Sequence, residues 1–249
     1  MKKFDYENEQ YLKKLDELPE SNYSKYIAFI KQYLKSKDSK FLDIGCGNGK
    51  ILSLLRENGY ESGYGCDISK VFINAAKKKG LKNVFYYDGI NFPFKENYFD
   101  LVGSFNVLEH VEDPEEFLES QVKILKKRGH IIVGCPNFLS VLYRNNHRRL
   151  KGVGRKLSNL LIIFSKLLSP SSKFEKIEPV KRKKFEYDDD AIVVTNLIDI
   201  KAVLSKNGCS LIYESGFINY DSLLFRLINR VPLIRYTLPS CFVVAKKIK

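Results

Sequence analysis

The chain has 249 residues, of which 44% are hydrophobic, which is enough for one α/β domain with a sizeable core. No apolar stretch follows the N-terminal lysines and no uncharged apolar run is long enough to cross a bilayer, so we expect neither a signal peptide nor a membrane-spanning helix. The formal net charge of +13 favours an anionic partner such as nucleic acid, a membrane surface or a phosphorylated substrate, unless the lysines are spread evenly over a solvated surface.

Two helices are predicted before the first strand, and we assign residues 1–36 to an N-terminal helical cap. Over residues 4–18, charged residues are interspersed with apolar ones before a proline ends the pattern. Apolar residues then recur at helical spacing over residues 23–34, with Ser21 or Asn22 as the expected N-cap.

The segment that organises the chain is a short apolar strand followed by three glycines at every second position. A helical pattern begins directly after the third glycine, so the segment predicts a strand, a tight turn and a helix. Glycine is needed where a backbone turns sharply or a ligand approaches closely, and the N–H groups at a helix start attract anionic groups. The residues of the segment are Phe41, Leu42, Asp43, Ile44, Gly45, Cys46, Gly47, Asn48 and Gly49.

The spacing of these glycines indicates which ligand the turn suits. The nicotinamide fingerprint Gly-x-Gly-x-x-Gly would need its third glycine where the chain has Lys50. The observed Gly-x-Gly-x-Gly, with an acid two residues before it, resembles the first motif of the class I S-adenosylmethionine (SAM) methyltransferases. This resemblance implies that the loop wraps the methionine part of SAM, and that a later acid holds the ribose hydroxyls.

Two further acids stand where the resemblance implies them. Asp67 lies 20 residues after Gly47, at the end of a strand predicted over residues 61–66. Asp88 follows a strand predicted over residues 83–87, where this family contacts the adenine amino group, although Asp-Gly also favours a simple turn. The cofactor-binding residues implied by the resemblance are Asp43, Gly45, Cys46, Gly47, Asn48, Gly49, Asp67, Ile68, Asp88, Gly89 and Asn106.

A later stretch narrows the resemblance to one family. A strand predicted over residues 99–105 leads to the run Val-Leu-Glu-His-Val at 107–111, then to Asp-Pro and a helix predicted to end at Lys127. Another predicted strand, residues 130–135, ends in Pro-Asn. This pattern resembles the type 11 methyltransferase domain, a group that includes ubiquinone- and menaquinone-biosynthesis methyltransferases.

The alternation of strands and helices, together with the resemblance, predicts a Rossmann-like, doubly wound α/β fold over residues 37–249. We expect a seven-stranded, mostly parallel sheet with an antiparallel edge strand, in which residues 209–217 and 240–246 are the last two strands. The ligand should lie at the carboxyl ends of the strands, at the switch point between strands one and four. In the proteins that the sequence resembles, an N-terminal segment covers the cofactor site.

One histidine is a candidate catalytic residue. Methyl transfer from a sulfonium is an in-line displacement in which the protein mainly positions the reactants, but an oxygen or nitrogen acceptor can need a general base. His110 follows the fourth predicted strand, where the acceptor should approach, and histidine is the side chain suited to this role near pH 7. The alternative is an architectural role, because Glu-His recurs at this position in the family whatever the substrate. His130 and His147 are expected to be solvated.

No metal site is predicted. The three histidines are far apart in the sequence, and we interpret the acidic run at residues 188–190 as a solvated face or a helix start. The five cysteines form no Cys-x-x-Cys pair and their number is odd, which favours buried free thiols and a cytoplasmic protein over disulfides or bound zinc. These cysteines are Cys46, Cys66, Cys135, Cys209 and Cys241.

Residues 139–190 do not fit the minimal domain and form a basic helical insertion with thirteen basic and six acidic residues. We expect this insertion to cover the acceptor site and to dock on an anionic membrane surface. Its apolar helical face would enter the lipid interface while Arg155, Lys156 and Lys166 meet the head groups. The alternative is that the apolar face packs on the domain as additional core. The apolar residues are Leu157, Leu160, Leu161, Phe164 and Leu168.

The sequence therefore predicts a SAM-dependent methyltransferase that acts on a small-molecule, lipid-linked or glycan-type acceptor, at oxygen or nitrogen rather than carbon. One alternative is an RNA methyltransferase, because of the net charge. Another is a SAM-binding regulator without transfer activity. The aliphatic face of the insertion favours a membrane surface or a lipid acceptor over RNA, which is recognised by stacked aromatic side chains.

Overall fold

The computed structural model describes residues 6–7, 9–142, 152–169, 172–180, 188–217 and 223–249. Its helices are α1 (Glu9–Glu17), α2 (Ser24–Tyr33), α3 (Lys50–Glu57), α4 (Lys70–Lys78), α5 (Pro114–Ile124), α6 (Gly152–Leu168), α7 (Leu197–Lys206), α8 (Leu223–Arg230) and α9 (Pro232–Arg235). Its strands are β1 (Phe41–Ile44), β2 (Gly63–Asp67), β3 (Val84–Tyr86), β4 (Phe99–Phe105), β5 (Leu125–Pro136), β6 (Glu175–Lys176), β7 (Val193–Val194), β8 (Cys209–Ser215) and β9 (Ser240–Lys247). Within these residues, no helix is long and apolar enough to cross a membrane.

Seven strands form one sheet in the order β3-β2-β1-β4-β5-β9-β8. Strand β1 pairs in parallel with β2 on one side and with β4 on the other, and β2 pairs in parallel with β3. Strands β8 and β9 pair antiparallel at the edge. The predicted mostly parallel, Rossmann-like sheet with an antiparallel edge strand is confirmed, and the order reverses between β1 and β4 as expected.

The chain divides into two compact units. The first contains Met1–Phe105 and Lys123–Ile132, so α1 and α2 share a unit with β1 to β4. Its core is built on the apolar run of β1, in which Leu42 and Ile44 are fully buried, and Tyr26 of α2 packs on Phe105 of β4 with 4.3 Å between ring centroids. The second unit contains Asn106–Val122 and Val133–Lys249.

Standard capping signals mark both ends of α4. The Ser69 hydroxyl accepts a hydrogen bond from the Phe72 N–H at the start of α4, and Gly80 has a φ of 80° just after that helix. The predicted cap of α2 is wrong, because a short 3-10 helix, Glu20–Asn22, precedes α2 and its N-cap is Tyr23, without a side-chain hydrogen bond.

The boundary between α5 and β5 also differs from the prediction. The helix predicted to end at Lys127 ends at Ile124, and β5 begins at Leu125 instead of His130. Within this strand, the Lys126 ammonium lies 2.9 Å from both carboxylate oxygens of Asp100 on β4. Three basic residues with high helix propensity thus lie near the start of a strand, because pairing with the neighbouring strand overrides the local preference.

Candidate active site

The glycine loop after β1 needs glycine for its backbone conformation. Gly45, Gly47 and Gly49 have φ angles of 71°, 54° and 76°, in the left-handed region that other residues rarely adopt. A Cβ atom at Gly49 would also lie only 2.2 Å from Cδ1 of Leu81. The loop leads into α3, whose N-cap, Gly49, offers no side-chain hydrogen bond. The start of α3 therefore suits an anionic group of a ligand.

Asp67 fixes this loop from the carboxyl end of β2. Its carboxylate accepts a hydrogen bond from the Gly47 N–H at 2.8 Å through one oxygen, and from the Ser69 N–H at 2.9 Å through the other. Each oxygen keeps a further lone pair with which it could accept a ribose hydroxyl. Burial raises the pKa of Asp67 to about 6, although the backbone hydrogen bonds oppose the increase.

Asp43, the acid two residues before the loop, is almost completely buried within β1. Its neighbours across the sheet are Gly65 on β2 and Gly103 on β4, which place no side chain beside it. Burial, and secondly the negative charge of Asp67, raise the pKa of Asp43 well above its usual range. Next to the loop, the negative charge of Asp67 thus disfavours ionisation of Asp43 on the neighbouring strand.

The residues after β2 and β3 place an exposed apolar side chain beside a polar turn, which suits a nucleoside. Ile68 is 39% exposed and lies close to Gly89, where an added Cβ atom would be 3.4 Å from the Ile68 side chain. Asp88 is exposed, and its Oδ1 accepts hydrogen bonds from the Ile90 and Asn91 N–H groups. The turn role of Asp88 is therefore observed, and its contact with adenine stays a prediction.

The N-terminal helix α1 packs on the glycine loop. The Asn48 amide donates to the Asp16 carboxylate at 2.7 Å, and Lys79 donates to the same oxygen at 2.7 Å. Glu7, before α1, accepts hydrogen bonds from the Lys70 and Val71 N–H groups at the start of α4. The side chain of Asn48 thus holds α1. Glu7 and Asp16 were not predicted, because no local pattern distinguishes them from the other charged residues of the N-terminal segment.

In the second unit, the residues after β4 form a separate cluster. Asn106 is exposed and has a φ of 55°, and its N–H donates to the Gly134 carbonyl at 2.7 Å. Leu108–His110 form a 3-10 helix in which the Glu109 side chain is completely buried and that of His110 is 19% exposed. Sequence analysis gave Glu109 no separate role, although it is the best-buried acid of the cluster.

His110 lies between two carboxylates. Its Nε2 is 3.7 Å from Oε1 of Glu109, and its Nδ1 is 3.5 Å from Oδ2 of Asp190. Neither carboxylate oxygen of Glu109 has a hydrogen-bond partner in the described part of the chain. Burial, together with the negative charge of Asp188, raises the pKa of Glu109 well above its usual range, which favours the neutral acid.

The acidic run at 188–190 is not the solvated face that the sequence predicted. Asp189 and Asp190 are 3% and 9% exposed, and the Ile192 N–H donates to the Glu109 carbonyl at 2.9 Å, which joins this segment to the 3-10 helix. Asp188 has a φ of 62°, in the left-handed region. The run was misjudged because its partners are some eighty residues earlier in the chain, where a local pattern cannot reveal them.

The same cluster revises the prediction that no residues have a metal-ligand arrangement. Within the described residues, one ligand atom each from Glu109, His110 and Asp188 lie within 4.8 Å of one another. Sequence spacing could not show this group, because the fold brings Asp188 to the Glu-His pair.

The predictions for the cysteines and for the other histidines have different outcomes. The five cysteines are buried and unpaired as predicted, whereas His130 is partly buried, 5.2 Å from the Tyr33 ring. His147 lies outside the described residues.

Comparison with known proteins gives a family for this arrangement. The family model Methyltransf_11, described as a methyltransferase domain, matches residues 42–133. An uncharacterised protein of Methanocaldococcus jannaschii, MJ1123, is 32% identical over 154 residues, which cover 61% of this chain and 71% of that protein. The tRNA (carboxymethyluridine(34)-5-O)-methyltransferase of Arabidopsis thaliana is 32% identical over 116 residues, but these cover only 27% of its length and 45% of this chain.

Two further similarities concern an enzyme and a fold. A ubiquinone biosynthesis O-methyltransferase of Coxiella burnetii is 28% identical over 124 residues, covering 47% of this chain and 53% of that enzyme. The crystal structure of a SAM-dependent methyltransferase from Aquifex aeolicus superposes with a TM-score of 0.58 and covers 96% of this chain and 98% of that one. At 16% identity, this likeness establishes the fold alone.

Proposed function

The chain belongs to the SAM-dependent methyltransferases of the type 11 domain family, and on this premise we propose that it methylates an oxygen or nitrogen of a small-molecule, lipid-linked or glycan-type acceptor. The observation that supports transfer most strongly is the position of His110 between Glu109 and Asp190, because SAM binding alone would need no such cluster. The chain segment after β4 is also where the resemblance implies that the acceptor approaches.

The residues of the first unit would hold the cofactor. The glycine loop and the start of α3 suit the methionine part, Asp67 suits the ribose hydroxyls, and the exposed side of Ile68 suits the adenine ring. SAM, when bound, would supply a methyl group on a positively charged sulfur, whose bond to the methyl carbon breaks on transfer so that S-adenosylhomocysteine leaves. The protein itself therefore binds and orients the two reactants and manages the acceptor proton.

His110 would accept that proton as general base. The acceptor O–H or N–H would transfer its proton to an imidazole nitrogen while the acceptor atom forms its bond to the methyl carbon. The Asp190 carboxylate, 3.5 Å from Nδ1, would then stabilise the positive charge on the imidazole ring. Glu109, whose raised pKa favours the neutral acid, would add no second negative charge to this position.

An RNA acceptor is a second candidate, because one relative is named as a tRNA methyltransferase and the net charge is +13. A ubiquinone O-methyltransferase and a plant norajmaline N-methyltransferase are also among the relatives, so relatives act on acceptors of different classes. The exposed aliphatic surface described below favours a lipid-linked or small apolar acceptor over RNA.

The test is to incubate the protein with methyl-labelled SAM and cell lysate, and then to separate the lipid, RNA, protein and metabolite fractions. We expect label in the lipid or metabolite fraction, and its loss with His110→Ala. Label confined to RNA would assign the second candidate. If SAM binds in calorimetry but no fraction is labelled, the protein is a SAM-binding regulator and the proposal is wrong.

A further inference from the structure

Helix α6 is amphipathic, but its apolar face is exposed and the face that it buries is mostly polar. Its buried residues are Arg155, Asn159 and Ile163, two of which are polar. A surface helix of a globular protein normally turns its apolar stripe to the core and its polar face to water. The exposed fractions of the outward apolar side chains are 72% for Val153, 57% for Leu157, 43% for Leu160, 71% for Leu161, 60% for Phe164 and 73% for Leu168.

Specific polar contacts hold α6 in this orientation. The Arg155 guanidinium and the Asn159 amide both donate to the Ser140 carbonyl, at 3.0 and 3.1 Å. At the other end, Lys166 donates to both carboxylate oxygens of the buried Asp199, at 2.8 and 2.7 Å. Turning the leucines inward would leave these buried groups without partners, which is unfavourable.

Two predictions for this helix therefore change: core packing of its apolar face, and a head-group contact through Arg155, Lys156 and Lys166. The apolar face does not pack on the domain as additional core, since its side chains are exposed. Two of the three basic residues expected at lipid head groups, Arg155 and Lys166, bind the protein instead, and Lys156 alone of the three is exposed.

The outward face forms one stripe. Its residues recur at intervals of three or four, with Leu160 and Leu161 side by side, which places them along one side of a helix roughly 25 Å long. An exposed apolar area of this extent normally marks an interaction surface in a monomeric protein. A helix of 17 residues with this pattern is suited to lie in the plane of a lipid interface.

The surrounding charge indicates what covers the stripe. From residue 139 to residue 174 the sequence contains eight basic residues and no acidic one, and four of the basic residues directly precede α6. These four, Arg144, Arg148, Arg149 and Lys151, lie outside the residues that the structure describes. A second copy of the chain would bring the same positive charge to the contact and would be repelled, whereas an anionic lipid surface offers both apolar depth and opposite charge.

We propose that α6 docks this protein on anionic lipid membranes, with the stripe from Val153 to Leu168 inserted at the interface and the exposed Lys156 at the head groups. Docking is independent of methyl transfer, so it can be measured without an acceptor. It would bring the protein to the surface where a lipid-linked acceptor resides.

The chain contains no tryptophan, so a single introduced tryptophan reports insertion without background. Leu161→Trp places the probe on the stripe, and Ile248→Trp places it at a 49% exposed apolar position at the end of the chain as a matched control. Vesicles of phosphatidylcholine with or without about one third phosphatidylserine supply the two surfaces. We expect a blue shift of the Leu161→Trp emission with the anionic vesicles at low salt, its loss as salt rises, and no shift for Ile248→Trp.

Co-sedimentation with the same vesicles provides the second measurement. Leu161→Gln and Phe164→Gln, both at exposed positions, should each reduce binding roughly tenfold, while Ile248→Gln should not. Circular dichroism confirms that each variant is folded. Absence of binding to anionic vesicles at low salt would overturn the proposal, as would unchanged binding of the two glutamine variants. A concentration-dependent dimer that Leu161→Gln abolishes would assign the stripe to a second copy instead.

Discussion

The two clusters of acidic side chains in this protein differ in the hydrogen bonds that their carboxylates accept. Asp67, beside the glycine loop, accepts backbone hydrogen bonds on both carboxylate oxygens. Glu109, beside His110, is equally withdrawn from water but has no hydrogen-bond partner for either oxygen among the residues described. A carboxylate with a backbone donor on each oxygen fixes the geometry of a binding loop, whereas a buried carboxylate without hydrogen bonds favours a change of protonation state. The first cluster is thus suited to holding a cofactor and the second to proton transfer.

Removing the histidine should have the largest effect on catalysis. His110→Ala is expected to lower turnover by about 10²–10⁴ while SAM affinity is preserved, because only the proton acceptor is lost. Label transfer measures turnover and calorimetry measures affinity. Asp190→Asn, which keeps the shape but removes the charge, should cause a smaller decrease. Should His110→Ala abolish SAM binding or folding, the architectural role of the Glu-His pair would be the correct one.

The glycine loop should be destabilised by a substitution that changes only its backbone preference and adds one methyl group. Gly49→Ala combines a positive φ with a Cβ clash at Leu81, and we expect it to reduce the free energy of unfolding by about 2–4 kcal/mol. Gly154→Ala is the matched control, because it lies in α6 with nothing within 4 Å of an added Cβ, and should be neutral or slightly stabilising. Denaturant titration compares the two. Equal stability of both variants would contradict the assigned role of Gly49.

A third prediction uses pH to separate binding from stability at Asp67. Its folded pKa of about 6 is above the unfolded value, so the protonated form contributes stability that is fully present below the unfolded pKa and is lost as pH rises through about 6. Ribose binding needs the ionised form, so SAM affinity should fall, at most about tenfold per pH unit, as pH decreases below about 6. Calorimetry across this range should show a flat profile for Asp67→Asn, and an identical slope in both proteins would refute the assignment.

The smallest effect is expected from chelation. Turnover measured with methyl-labelled SAM should be unchanged by a strong chelator, because the proposed steps use only side chains of the protein and the methyl donor. A loss of activity that added manganese or magnesium restores, and that Asp188→Asn mimics, would show instead that Glu109, His110 and Asp188 bind a metal ion.

How much the sequence could predict depended on how far apart the interacting residues are. The turn formed by the glycine loop is determined within a few residues, so its pattern was sufficient. The direction of the apolar face of α6 depends on Ser140 and Asp199, and no periodicity within the helix can reveal it.

Sequence separation also explains which residues of the candidate site were predicted. Asp67 was predicted because a resemblance fixed its distance from the loop, and the structure places it in hydrogen-bond contact with Gly47. The buried Asp190 was not predicted, because a run of three acids is usually solvated and only the fold brings it to His110.

The central claim, that the glycine loop and Asp67 form the SAM site, is tested most directly by titrating SAM into the wild-type protein and into Asp67→Ala by calorimetry. The account predicts one binding event in the wild type and an affinity about ten- to a hundredfold lower in the variant, since a charged hydrogen-bond acceptor is removed. Thermal denaturation should first confirm that the variant is folded. Unchanged affinity in a folded Asp67→Ala protein, or no binding of SAM to the wild type, would contradict the account.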